Sequence, residues 1–293
     1  MADFTIAGTT IKSGETGVAN IEVARMPRGD MLSIPVHIVN GKKDGPVLGI
    51  DCTSHGDEAF AILVIKEVIE GLDTSELSGT VLGMPVMNPI GFETYHRLTT
   101  LRMTTNATNL NTAFPGSENG SLVERMAFQV TKHFLDKLDY LMDYHCGGLE
   151  AAIDYTLVKK PDGEYGDRVM ELSKAYGSRI LSVSRPAGFN GSISEVAAQK
   201  GIPAIVPMCG GASACSDPEV LKRGVRGVLN VMKVTGMLAG EPEEEQDQKI
   251  LGDRTLVRHK GGGLFLPAVD YKGLGQTVPK DTLVGRVISP YTF

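Results

Sequence analysis

The 293-residue sequence predicts an α/β fold: a mixed, mostly parallel sheet with helices on both faces, followed by a small β-rich C-terminal part. Three observations predict it. Short, nearly continuous apolar runs at residues 46–52, 80–86 and 202–207 read as buried strands. Between such runs lie stretches with apolar residues at helical spacing, as in residues 58–72 with Ala61, Ile62, Ile65, Val68, Ile69 and Leu72. Strands that alternate with helices place the helices on both faces of a sheet. Finally, residues 240–247 are acidic and contain Pro242, so they should be solvated, and they precede a Gly- and Val-rich tail. This boundary divides the chain into an α/β domain, residues 1–240, and a linker with a small β domain, residues 241–293.

The elements follow in order. Residues 21–24 and 32–39 are strand-like between Gly-rich turns and read as an antiparallel lead-in to the sheet. Residues 90–120 lack periodicity and are rich in Thr and Asn, and long loops inside compact domains are often functional. Ser121 and Glu124 form a capping box for a helix over 122–138, with Met126, Val130, Phe134 and Leu138 on one face. A short strand over 139–145 follows, then helices over 164–176 and 192–200, closed by Gly177 and Gly201. Asp217, Pro218 and Glu219 supply a cap, an N1 proline and an acidic first turn for a helix reaching about residue 238. In the tail, residues 255–258, 263–266 and 283–288 look like short strands.

Composition narrows the function. Charged residues (22%) and hydrophobic residues (42%) are those of a globular protein. The formal charge is −6 and basic residues are scattered, so there is no footprint for nucleic acid and a small molecule is the expected partner. No apolar run approaches the roughly 20 residues that span a bilayer, and the first residues lack the pattern of a signal peptide, so no membrane association and a cytoplasmic location are expected. Cys52, Cys146, Cys209 and Cys215 form no CxxC pair and read as reduced, mostly buried thiols. A homo-oligomer is compatible with these features.

The chemistry concentrates at Ser54-His-Gly-Asp-Glu58, between the strand 46–52 and the helix that follows. His55 and Glu58, three residues apart at a strand end, converge on one point. Catalytic zinc commonly takes two histidines and a glutamate and keeps a position open. His145 is the best third ligand, since it ends a strand and precedes Gly147-Gly148, where backbone can approach closely. Asp143, two residues earlier on the same side of that strand, is placed to support His145 from behind.

The order His55-Gly-Asp-Glu58, Asn88-Pro89-x-Gly91-Phe92, Asn109-Leu-Asn111-x-x-Phe114-Pro115-Gly116, Asp143-Tyr-His145-x-Gly-Gly148 and Gly201-Ile-Pro203-Ala resembles the succinylglutamate desuccinylase/aspartoacylase family, amidohydrolases related to zinc carboxypeptidases. The resemblance covers about residues 45–240, and the tail looks like that family's β-rich C-terminal lobe. It implies a zinc carboxypeptidase-like fold, one Zn2+ held by His55, Glu58 and His145, and hydrolysis of a small N-acyl amino acid or related N-acyl amine.

Two departures accompany the resemblance. Where the family pattern resembles Glu-x-Gly-Gly, with a catalytic glutamate, this chain reads Met208-Cys-Gly-Gly211, and a methionine accepts no proton. Glu195 is the nearest acidic alternative, although Ser192-x-x-Glu195 also reads as a capping box. Where the family motif resembles Asp-Leu-Asn-Arg, the chain has Asn111-Thr112, and threonine makes no bidentate charged pair with a carboxylate. Arg97 matches an upstream family arginine; Arg102 is a second cationic candidate, and Asn111 either orients substrate or holds the loop. The final strands of the family's C-terminal lobe are expected to be missing or replaced here, since the sequence stops at Pro290-Tyr-Thr-Phe293. The readings are a zinc amidohydrolase of the deacylase type, a metal-binding pseudoenzyme or ligand sensor, and, more weakly, a metallocarboxypeptidase.

Overall fold

The computed structural model describes residues 2–99, 108–149, 151–185, 189–212, 217–252, 255 and 257–292. A hairpin of β1 (Phe4–Ile6) and β2 (Thr9–Ile11) precedes a nine-stranded sheet. The sheet comprises β3 (Thr16–Arg25), β4 (Met31–Asn40), β5 (Lys43–Asp51), β6 (Ser78–Met84), β7 (Tyr140–Asp143), β8 (Ile153–Lys159), β9 (Ile180–Ser184), β10 (Ala204–Gly210) and β11 (Lys249–Leu251). Their order is β11-β9-β8-β10-β7-β5-β6-β4-β3. The pairs β5–β6, β5–β7, β7–β10, β8–β9 and β9–β11 are parallel, whereas β8–β10, β4–β6 and β3–β4 are antiparallel. This is the mixed, mostly parallel sheet that the sequence predicts.

Six α-helices are described: α1 (Ala61–Gly71), α2 (Pro89–Glu93), α3 (Leu122–His133), α4 (Glu164–Tyr176), α5 (Ile193–Gln199) and α6 (Pro218–Val234). The period-two alternation of the central strands divides the core between the two faces. Leu48, Ile50, Met142 and Ile205 pack with α1, α4 and α6, whereas Leu82, Leu141, α3 and α5 fill the other core. Helices therefore cover both faces, as expected. The C-terminal residues add β11 to the edge of the main sheet, and β12 (Leu264–Pro267) and β13 (Gly285–Ile288) form a separate antiparallel pair.

Local chemistry explains several boundaries. The Ser121 hydroxyl accepts from the Glu124 N–H while the Glu124 carboxylate accepts from the Ser121 N–H, so both halves of the capping box form. Gly177 closes α4 at φ +78°, a left-handed conformation suited to glycine. α3 stops at His133, short of residue 138, and a 3₁₀ turn, Leu135–Lys137, follows. Leu138 and Phe134 then lie beneath Gly49, where a Cβ would meet one Leu138 methyl at 2.3 Å. α1 starts at Ala61 rather than at Glu58. The residues thereby left out of the helix belong to the site.

A buried candidate metal centre

Strand β5 ends at Asp51, and the chain turns sharply through Thr53 to present His55. Thr53 is fully buried at φ +59°, a conformation that costs a β-branched residue of order 1–3 kcal/mol. Its hydroxyl donates to the carbonyls of Cys52 and Pro85 and accepts from the Met87 N–H at 3.0 Å, which holds the turn. Gly56 packs against the backbone of Gly91, where a Cβ would lie 1.9 Å from the Gly91 carbonyl carbon. No other residue fits there. Asn88 clamps the same contact, its amide donating to the Ser54 carbonyl and its oxygen accepting from the Gly91 N–H.

The second side of the site comes from the adjacent strands. β5 and β7 run parallel with Asp51 beside Asp143, and beyond β7 a bridge sets His145 beside Met208. The His145 N–H donates to the Pro207 carbonyl and the Cys209 N–H donates to the His145 carbonyl, which fixes the histidine backbone on β10.

His55, Glu58 and His145 are all buried, and their candidate ligand atoms lie within 4.8 Å of one another. Glu58 Oε2 is 2.6 Å from His145 Nδ1 and accepts from the Cys146 N–H at 3.2 Å. Glu58 Oε1 accepts from the Arg97 guanidinium at 2.6 Å and lies 2.9 Å from His55 Nδ1. That last contact is too poorly aligned to be a hydrogen bond, so both ring nitrogens of buried His55 lack a hydrogen-bond partner. An orphaned buried imidazole facing a carboxylate and a second imidazole is the donor set of a divalent metal such as zinc. The residues fit the ion.

Electrostatics in this cluster follow from burial opposed by pairing. Burial alone would raise the Glu58 carboxyl, but its contacts with His145 and His55 hold it far below the usual carboxylate range. Burial alone would lower His145, yet Asp143 and Glu58 push it up to about 10. Asp143 Oδ1 lies 3.3 Å from His145 Nε2. Asp51, fully buried beside Asp143, is pushed well above the usual carboxylate range by burial and by the Asp143 charge. Sequence reasoning missed Asp51, although it is the one charged residue in the apolar run 46–52.

Residues 44–235 match the model of the succinylglutamate desuccinylase/aspartoacylase catalytic domain. The chain belongs to this family. Among relatives, the N-alpha-acetyl-L-2,4-diaminobutyric acid deacetylase of Halomonas elongata is 26% identical over 263 residues, 87% of this chain and 73% of that protein. The product-bound structure of the ectoine utilization protein EutE (DoeB) from Ruegeria pomeroyi has a TM-score of 0.81 at 21% identity, covering 96% of this chain and 86% of that one. A succinylglutamate desuccinylase/aspartoacylase structure from Rhodobacter sphaeroides gives 0.78 at 22% identity, covering 95% and 84%.

In this family member the remaining candidates fall at different places. The Arg97 guanidinium, half exposed, reaches Glu58. The Asn111 amide nitrogen is 3.4 Å from His145 Nε2, its oxygen is buried without a partner, and its N–H donates to Asn109 Oδ1. Thr112 donates its hydroxyl to the Asn109 carbonyl and closes its own turn. Arg102 lies outside the described residues. Glu195 pairs with Lys159 at 2.7 Å and accepts from the Asn190 N–H. Only half of its expected capping box forms, since the Ser192 hydroxyl accepts from the Glu195 N–H while the carboxylate turns to Lys159. Lys159 lies four residues along β8 from Tyr155, the partner of Met208, which is about 13 Å of strand. Glu195 belongs with that far end of the sheet. No described helix is long and apolar enough to cross a membrane.

Proposed function

We propose that the chain is a zinc-dependent amidohydrolase that cleaves the amide of a small N-acyl amino acid or related N-acyl amine, releasing a carboxylate and an amine. The buried His55, Glu58 and His145 cluster with its unpartnered imidazole carries this reading. When bound there, zinc would supply a Lewis acid that polarises the amide carbonyl and acidifies water. The protein's own groups do the rest. Asp143 keeps His145 oriented and its far nitrogen engaged. Asn111, with a free buried oxygen beside the cluster, is the group placed to orient the amide. Arg97 is close enough to the ligand carboxylate to meet negative charge that develops on the substrate carbonyl. The relative that deacetylates N-acetyldiaminobutyrate supports a small N-acyl substrate. Metal analysis after growth in metal-replete medium, with assays on N-acetyl and N-succinyl amines, tests the proposal. A chain purified without metal that takes up none on titration would end it.

A second reading is favoured by one observation: Met208, whose backbone is bridged to His145, stands where the family pattern resembles Glu-x-Gly-Gly, and a methionine accepts no proton. On that reading the chain binds metal and ligand without turnover, as a pseudoenzyme or sensor. Metal binding with no hydrolysis across the panel would select it. A metallocarboxypeptidase is the weaker alternative, because Thr112, where the family motif has an arginine, spends its hydroxyl on its own turn and cannot clamp a peptide C-terminus. Peptides cleaved faster than small N-acyl amines would reverse that order.

A further inference from the structure

The sheet face that carries His145 continues away from the metal cluster as an apolar strip. β7 and β10 are parallel, with Ala204 beside Leu141, and His145 is bridged to Met208, so Ala204, Val206 and Met208 share the face of Leu141, Asp143 and His145. Across the antiparallel pair β10–β8, Met208 lies opposite Tyr155 and Val206 opposite Leu157, which puts both on that face as well. Among the described residues Met208, Val206, Tyr155 and Leu157 pack into neither core. All but Val206 are half-buried. Met208, Tyr155 and Leu157, half-buried beside the candidate metal cluster and outside both cores, offer apolar surface to a ligand, with Val206 buried between them and the cavity wall.

At Val206 the strip meets an open pocket of about 300 Å³, lined also by Ala204, Tyr165, Phe189 and Ala198. Its charged members, Lys159 and Glu195, neutralise each other at 2.7 Å. Among the described residues that line the cavity, no other cation is present to meet a carboxylate. From Met208 to Ala204 the strand runs about 13 Å, longer than any natural amino-acid side chain.

We propose that strip and cavity form an acyl-chain subsite, so that the substrate carries a medium-length, unbranched apolar acyl group rather than a dicarboxylic one. This rests on the amidohydrolase reading for the placement of the scissile amide at the cluster. Met208 then forms the first wall of the channel, where a glutamate would set a charge against the chain. Val206 and Leu157 form the next, and the cavity beyond Ala204 sets the limit of length.

The test is calorimetric binding of N-acyl glycines, from acetyl to decanoyl, to the full metal-loaded chain, with hydrolysis of the same series followed in parallel. Affinity is expected to rise roughly fourfold per methylene until the cavity is filled, from the burial free energy of a methylene. A flat or falling series overturns the proposal. A rise seen instead among N-acetyl amino acids of growing apolar side chain overturns the acyl assignment, because the strip would then hold the amine part. Leu157→Asp should abolish the length dependence, and Leu157→Ala should lower the gain per methylene if the aspartate variant fails to fold. Wild-type length dependence in folded Leu157→Asp counts against the subsite. The two readings fail separately: a chain that hydrolyses nothing but binds longer acyl groups more tightly loses only the amidohydrolase reading, and one that cleaves acetyl substrates with no length dependence loses only the subsite.

Discussion

The ends of β5 and β7 and the exposed side of β8 and β10 lie on one sheet face, yet they are built on opposite principles. At the first, Asp51, Asp143, His145, His55 and Glu58 are all buried, and Glu58 and Asp143 face His145 from two sides. At the second, Met208, Tyr155 and Leu157 offer apolar surface beside a self-neutralised ion pair. The difference teaches that one region is organised to position charge and the other to accept a shape without charge. Buried charges tolerate almost no substitution, because removing one partner strands the other, whereas an apolar strip tolerates changes of size and resists changes of polarity.

The sharpest way to break this contrast is His145→Ala. It leaves the Glu58 and Asp143 carboxylates without their shared partner, and the expected cost is about 3–5 kcal/mol by denaturant unfolding, together with loss of metal by elemental analysis. Met208→Glu carries the charged principle into the apolar region. If Met208 is what withholds proton transfer, amide hydrolysis of acetyl substrates should rise by about 10²- to 10⁴-fold. A rate equal to that of the unmodified chain would mean that the base lies elsewhere. Metal loading sharpens the charged side alone. At free metal of about 100 times Kd the protein should gain about 2.7 kcal/mol of stability, and a chelator should remove it.

Glu195→Gln gives the smallest effect and tests the ion pair at the far end. Burial opposes ionisation of Glu195, but Lys159 and the Asn190 N–H hold its carboxyl below the ordinary 4.5. A carboxyl lowered by folding stabilises the protein above its ordinary value, and that contribution is lost as pH falls through the folded value. The glutamine variant should therefore lose less stability than the parent between about pH 5 and pH 3, as read by thermal unfolding.

Much of this was legible in the sequence because it depends on local chemistry. The Ser121/Glu124 box, the glycine stop at Gly177 and the β5 and β10 runs each carry their signal in a few consecutive residues. That His55, Glu58 and His145 come together was legible because both segments follow strand ends in a recognisable order. Strands β8 and β9 were not expected. Polar residues interrupt the apolar pattern of both, Asp154 and Thr156 in β8 and Ser182 and Ser184 in β9. Tyr155 went unremarked for the same reason, since its position opposite Met208 exists only once β8 pairs with β10. Glu195 was readable as a cap, but its bond to Lys159 depends on the sheet register.

Glu58 and His145 meet across 87 residues of chain. Their contact cannot form while the chain samples only local turns and helices; it requires β7 to have docked beside β5 with Asp143 level with Asp51. An ion held by both residues would act as a clip on a loop of that length, removing conformations from the unfolded chain as well as adding bonds to the folded one. Metal uptake during refolding should therefore lag behind helix formation and report the moment at which the middle of the sheet closes.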